Sequence, residues 1–446
     1  MIRQRAKSSL GFALGAAVVF LTSYILGINF IVPVVLFSLV AFLKFSSRDP
    51  QFAGSRLLHL AFLFVIIFTA GFYIISRGLP IFYIPFCFIP MLAAILFDGL
   101  GISLLLTLAS AFSIPAVNNY NLNLAMLFLV SGITAGILVK NARRRIEIIR
   151  AGLITGAVLI IALFFIEGFR IAHPEKYFIL LLNSLACGVV AAGILPVFEY
   201  LFKRVTNISL LELADFNHPL LQRMIMEAPG TYHHSLVVGN LSEAACRAVG
   251  AHTLMARVGA YYHDIGKLAK PEYFSENQGL GLSKHEALSP VMSKMVIMNH
   301  VKEGLDLAKK YKFSPYLTDF ISQHHGNSLV FYFYRRALEN LQEDQEIEEE
   351  GFRYPGPKPN TKETAIVLLA DSVEAATRAL KEPSPERIKE VVHKVINNKF
   401  IDGQLDECDL TLRDLEKIAN TFIHILAGIY HSRVDYAKEP SEKNPA

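Results

Sequence analysis

Residues 191–225, AAGILPVFEYLFKRVTNISLLELADFNHPLLQRMI, change solvent within a few positions. Up to Phe202 the stretch is apolar around the whole helix, as lipid-facing helices are. From Leu210 apolar residues recur at helical spacing, first Leu210, Leu211, Leu213 and Ala214, then Leu220, Leu221, Met224 and Ile225, with Pro219 and Pro229 as breaks. That is the pattern of amphipathic helices burying one face. The joint at Lys203-Arg204 therefore predicts an all-α chain of two parts. A polytopic helical membrane domain covers 1–203 and a cytosolic all-α domain covers 204–436, with a polar tail, 437–446, too charged to pack.

Composition agrees with two solvents. The 446 residues are 52% hydrophobic and only 18% charged, and the mean hydropathy is +0.38, which excludes a purely soluble enzyme. The first 200 residues hold 14 Lys+Arg and 6 Asp+Glu, against 29 and 33 in the remainder, so the balance is +8 and then −4. The overall +4 averages unlike halves, and no nucleic-acid polymer is expected as a partner. Cys87, Cys187, Cys246 and Cys408 are too scattered for a disulfide framework or a zinc ribbon. They agree with a reducing compartment.

A membrane-spanning helix takes about 20 mostly apolar residues. Eight stretches qualify, at 9–27, 29–45, 57–76, 80–97, 99–116, 123–140, 151–168 and 178–202. The joint Asp98-Gly99 is the least polar between them and could instead be a re-entrant turn. When loops are assigned to alternate sides, one side takes Arg3, Arg5, Lys7, Lys44, Arg48, Arg56, Lys140, Arg143, Arg144, Arg145, Arg150, Lys203 and Arg204. The other takes only Arg77, Arg170 and Lys176. Cationic loops stay in the cytoplasm, so both termini are expected there, in the cell (inner) membrane. This also accounts for the basic run at 142–145 without nucleic acid. Within the spans ionisable residues are nearly absent; His59 and Glu199 sit near span ends, where they can reach the interface. A transport path is therefore not supported.

The soluble part is rich in histidine, with 12 of the chain's 14 beyond residue 200. His233-His234, His263-Asp264, His300 and His324-His325 form a series that closes with Asp371. Neutral imidazoles and carboxylates are the ligands of borderline divalent metals, and one carboxylate can bridge two ions. Neighbours on a helix diverge by about 100°. His263 and Asp264 therefore share a dinuclear centre only if a helix end points at it, with Asp264 bridging.

HDIGK at 263–267 resembles the motif of the HD-domain metal-dependent phosphohydrolases. The likeness becomes specific through GTYHHSLVVGNLSEAA, ARVGAYYHDIGKLAKPEYFSENQ, SQHHGNSLVFYFY, FRYPGPKPNTKE, LLADSVEAA and DGQLDECDLTLRDLEKIA. Together these are similar to the seven-span-receptor HD family, the bacterial membrane-bound cyclic di-AMP phosphodiesterases, over about residues 205–435. The resemblance implies His234, His263, Asp264 and Asp371 at one metal and His300, His324 and His325 at the other, with Asp264 shared. It places Lys267 beside a substrate phosphate, as a point charge, and leaves His233 to orient a neighbour or face solvent. Its cofactors are two divalent transition-metal ions, manganese or iron. The implied reaction is hydrolysis of cyclic di-AMP to the linear dinucleotide at the cytoplasmic face.

Two features limit what the resemblance carries. Family members commonly hold a large external domain between the first and second spans, where here only a turn near Gly27-Ile28-Asn29 is expected. Related enzymes acting on cyclic di-GMP carry GYP after their histidine pair, whereas His325 is followed by Gly326-Asn327-Ser328. The alternatives are a membrane receptor that binds a cyclic dinucleotide without cleaving it, and an HD phosphohydrolase acting on cyclic di-GMP or (p)ppGpp. A lone tether needs one helix, so the multi-span block suggests homo-oligomer formation or sensing within the lipid bilayer. The topology is open to cysteine labelling of single-cysteine variants. Position 120 should label from outside and position 146 only after permeabilisation, and the reverse pattern contradicts the expected orientation.

Overall fold

The structure, a computed structural model, describes residues 50–97, 99–169, 171, 173–278, 283–340 and 347–430, with side chains from residue 58 onward. The expected spans 9–27 and 29–45, the turn at 27–29, the basic residues Arg3, Arg5, Lys7, Lys44, Arg48 and Arg170, Asp98 and the tail 437–446 lie outside the described residues. So does the side chain of Arg56. The described residues are helical, in sixteen α-helices and several short 3-10 turns. One isolated antiparallel bridge joins Leu329 to Arg353. The chain divides into two compact units, one running to Ser209 and the other starting at Leu210.

In the first unit the helices are α1 (Pro50–Ser76), α2 (Phe88–Leu96), α3 (Leu100–Val117), α4 (Leu122–Val139), α5 (Arg145–Ile166) and α6 (Pro174–Phe202). All except α2 contain a stretch long and apolar enough to cross a membrane. Lipid offers no hydrophobic drive for helices to associate, so close backbone contact must supply it. Small residues provide that contact here. Gly152 of α5 lies against Ser184 and Gly188 of α6, so closely that a Cβ there would fall 2.5 Å from the Ser184 carbonyl oxygen. Gly132 and Gly136 of α4 face Thr107 and Ser103 of α3 in the same way.

The stretch 80–97 is not one continuous span. Pro80 and Pro85 break it into a 3-10 turn, Ile81–Tyr83, and the nine-residue α2, which carries Pro90 in its first turn. Nine residues rise only about 14 Å, against roughly 30 Å of hydrocarbon. The broken backbone is satisfied by a neighbour: Asn183 Nδ2 donates to the carbonyls of Phe82 (2.7 Å) and Ile84 (2.8 Å). Irregular backbone survives at membrane depth only with such partners. If the basic loops are to share one side, this broken segment has to traverse the bilayer.

Glu199 behaves differently from the expected snorkelling residue. It is buried near the end of α6 and accepts hydrogen bonds from Thr206 N (2.9 Å), Thr206 Oγ1 (2.6 Å) and Ser209 Oγ (2.8 Å). With Lys203 in the left-handed region at φ 52° closing the helix, the carboxylate fixes the turn into α7 (Asn207–Leu213).

The second unit contains α8 (Pro219–Glu227), α9 (Pro229–Val249), α10 (Thr253–Tyr262), α11 (Pro290–Lys310), α12 (Pro315–Gln323), α13 (Phe331–Glu339), α14 (Lys362–Arg378), α15 (Pro385–Ile401) and α16 (Leu412–Ile429). Helix α14 is central: everything from Thr364 to Asp371 is buried, and α9, α12, α15 and α16 pack around it. Val238, Leu241, Phe320, Leu369, Ile418 and Phe422 belong to the shared core. Thr361 and Thr411 cap α14 and α16 through reciprocal capping boxes. After α10 the chain makes a 3-10 turn, Ile265–Ala269, against α11. Gly266 permits the contact, since a Cβ there would sit 1.8 Å from the His300 carbonyl oxygen. That approach brings the end of α10 beside His300.

Candidate metal centre

Three helices and two helix ends converge on the middle of the second unit. Helix α9 turns His234 inward with Ser235 and Val238, and leaves His233 exposed. His263 ends α10 and Asp264 opens the following 3-10 turn, so both point off a helix end. His300 lies midway along α11, His324 and His325 follow the last turn of α12, and Asp371 lies on α14. The seven residues singled out in the sequence fall into two groups that share Asp264. In the first, His234, His263, Asp264 and Asp371 each offer an atom within 4.8 Å of the others; in the second, Asp264, His300, His324 and His325 do so.

The two oxygens of Asp264 face different imidazoles. Oδ2 lies 3.2 Å from His263 Nε2 and 3.6 Å from His234 Nε2, while Oδ1 lies 3.3 Å from His300 Nε2 and 3.5 Å from His324 Nε2. Asp371 extends the first group, with Oδ1 3.0 Å from His234 Nε2, and its Oδ2 lies 3.6 Å from His325 Nδ1.

Hydrogen bonding settles which ring nitrogens are free. His263 Nδ1 donates to the Ala260 carbonyl (2.7 Å), His300 Nδ1 to that of Ile297 (2.5 Å) and His324 Nδ1 to that of Ile321 (2.9 Å). A carbonyl only accepts, so each Nδ1 carries a hydrogen and each ring turns Nε2 inward, as a bare lone pair where the ring is neutral. His300 Nε2 and His324 Nε2 then stand 3.1 Å apart. Two lone pairs at that separation need a proton or a cation between them. His263 Nε2 and both Asp264 oxygens are buried without a hydrogen-bond partner, although Lys267 Nζ makes an ion pair 2.7 Å from Oδ2. Such a pocket of inward acceptors suits metal ions, and the donor set of imidazole and carboxylate fits divalent transition metals.

Charge points the same way. Asp264, Asp371, Glu276 and Glu374 bring four carboxylates, against Lys267 and Arg378. Burial works against ionisation, yet His263 and Lys267 hold the Asp264 carboxyl well below its usual range, and His234 and His263 do the same for Asp371. Against burial, the Asp264 and Asp371 carboxylates lift His263 to about 10. Burial drives His300 down to about 4. The carboxylate-rich half thus attracts positive charge, while burial keeps His300 and His325 neutral.

Two supporting residues were not identified from the sequence. Glu374 Oε2 accepts from His234 Nδ1 at 2.5 Å, fixing that ring with Nε2 toward the centre. Its signal was available, since it follows Asp371 by three positions and shares its helix face. Glu276 is 2.7 Å from Lys267 Nζ, and Thr231 Oγ1 donates to it at 3.3 Å. It lies in a 3-10 turn and carries no such signal. Lys267 itself is half-buried, held between Asp264 and Glu276 rather than free on the surface.

Residues 22–206 match the family described as 7TM receptor with intracellular HD hydrolase, and residues 231–376 match the HD domain. The chain belongs to this HD-hydrolase family of seven-span proteins. It is 43% identical over 331 residues to the cyclic-di-AMP phosphodiesterase PgpH of Bacillus subtilis (strain 168), covering 73% of this chain and 46% of that one. It is 36% identical over 400 residues to PgpH of Listeria monocytogenes serotype 1/2a (strain 10403S), covering 88% and 54%. The chain spans about half the length of these curated relatives. A crystal structure of the L. monocytogenes PgpH HD domain in complex with cyclic-di-AMP is 45% identical, covering 48% of this chain and 100% of that one, with a TM-score of 0.47.

If Asp264 joins two ions, Asp264→Ala should lose both, while His300→Ala should chiefly empty the second group. Glu374→Gln should weaken the first group about 10- to 100-fold, the usual effect of removing a carboxylate behind a ligating histidine. Metal content after dialysis measures all three, and retention of two ions by Asp264→Ala contradicts the shared arrangement.

Proposed function

We propose that this chain is a membrane-bound, metal-dependent phosphodiesterase that hydrolyses cyclic di-AMP to the linear dinucleotide at the cytoplasmic face of the membrane. The observation that carries this reading is the carboxylate of Asp264, whose two oxygens face separate imidazole pairs in a domain of the HD family. The substrate comes from the relatives named cyclic-di-AMP phosphodiesterase and from the absence of GYP after His325.

The proposed cofactors are two ions of manganese or iron, held by His234, His263, Asp264 and Asp371 and by Asp264, His300, His324 and His325. When bound, such a pair supplies Lewis acidity toward a phosphate oxygen and a water acidic enough to attack near neutral pH. The chain's own part is positional. Asp264 fixes the spacing of the two ligand sets, and Glu374 orients His234. Lys267, kept charged by Asp264 and Glu276, offers a fixed ammonium to the negative charge that builds on the attacked phosphate. Holding that charge in a preformed position avoids reorganisation during the reaction.

The catalytic domain in this reading is 204–436, carried by the multi-pass block 1–203 in the cell membrane with both termini in the cytoplasm. The membrane block serves homo-oligomer formation or sensing in the bilayer.

The test uses the full chain in lipid nanodiscs, loaded with manganese or iron(II) and incubated with cyclic di-AMP, with products separated by chromatography. Linear dinucleotide is expected, formed more than about tenfold faster than from cyclic di-GMP. Recovery of intact, bound cyclic di-AMP indicates a non-cleaving receptor and overturns the proposal. Equal or faster turnover of cyclic di-GMP overturns the base assignment.

A further inference from the structure

The loop that follows the histidine pair, Gly326-Asn327-Ser328, is held by the end of α15. Gln404 uses both ends of its side-chain amide on Asn327, with the Asn327 backbone N donating to Gln404 Oε1 (3.0 Å) and Gln404 Nε2 to Asn327 Oδ1 (2.6 Å). Ser328 N donates to the His325 carbonyl (3.1 Å). This is the role of the DGQ stretch at 402–404, one of the motifs that the metal centre alone does not use.

Lys399, one turn earlier, is a different matter. It is half-buried, and its Nζ donates to Ser328 Oγ at 2.7 Å. Among the described residues no carboxylate lies within ion-pair distance of it. Asp402, three residues on, is clamped by Arg353, with Nη2 2.8 Å from Oδ1 and Nη1 3.2 Å from Oδ2. The acids whose fields reach Lys399 are Asp371, from the metal centre, and Asp402. Burial disfavours the Lys399 charge, so an ammonium three residues beyond His325 through Ser328, with no ion-pair partner of its own, is stabilised by an anion that visits it.

A cyclic dinucleotide has two phosphodiesters, and a single metal centre engages the one that is cleaved. We propose that Lys399 binds the other, unreacting phosphate, so that ring recognition depends on a cation outside the metal centre. This rests on the function proposed above. Lysine suits the task because a lone ammonium contacts phosphate without demanding the fork geometry of arginine.

The experiment compares two substrates in the full chain in nanodiscs. Cyclic di-AMP has two phosphates and bis(p-nitrophenyl) phosphate has one. In Lys399→Gln, KM for cyclic di-AMP should rise about tenfold or more, the usual cost of losing a hydrogen bond to a charged group, with kcat within about twofold. The ratio of kcat/KM for cyclic di-AMP over the single phosphodiester should fall by the same factor. Lys399→Arg, which keeps the charge, should retain more of that ratio than Lys399→Gln. Ser328→Ala, which removes only the present hydrogen-bond partner, should keep it. An unchanged ratio in Lys399→Gln, or equal losses in the Gln and Arg variants, overturns the assignment. Failure of the unsubstituted chain to cleave cyclic di-AMP overturns the function instead, and is seen before any variant is made.

Discussion

The carboxylate of Asp264 is the constraint on which the second unit depends. A carboxylate stripped of water costs several kcal/mol unless positive charge reaches it, and most of the groups around Asp264 are lone pairs rather than donors. Backbone carbonyls enforce this by taking the Nδ1–H of His263, His300 and His324. Lys267 approaches Oδ2 as a cation, and His263 joins it there when its Nε2 is protonated. The packing of α9, α10, α11, α12 and α14 therefore delivers an electrostatic deficit, and the fit of divalent ions follows from that deficit rather than from the histidines' number.

Backbone geometry delivers the deficit to the right place. The absence of a side chain at Gly266 lets the turn after Asp264 touch α11 at His300, which joins the two ligand groups across one residue. The same logic governs the membrane unit, where glycines on α4 and α5 allow helices to meet. There Asn183 reaches the carbonyls of Phe82 and Ile84, in the segment where prolines interrupt the helix. In lipid as in the buried site, polar groups are placed where a group otherwise lacks a partner.

Much of this was legible in the sequence because the signals were local. Uniform apolarity before Phe202 and helical spacing after Leu210 marked the two solvents, and the doublets HH and HD marked clustered imidazole. What stayed hidden is tertiary. The stretch 80–97 has the length and hydropathy of a span, and only Pro80, Pro85 and Pro90 hinted that its helix would be broken. Glu199 was read as an interfacial carboxylate because no sequence pattern shows Thr206 and Ser209 folding back on it. Glu276 reaches Lys267 through a 3-10 turn whose geometry no periodicity encodes, whereas Glu374, one helical turn from Asp371, was within reach of helical spacing alone.

The central claim is that one carboxylate joins two ions. Anomalous diffraction from crystals of the manganese-loaded protein tests it most directly. The account predicts two peaks on opposite oxygens of Asp264, about 3.5 to 4 Å apart, the separation typical of two-metal hydrolytic sites. A single peak, or two peaks of which only one touches Asp264, would contradict it.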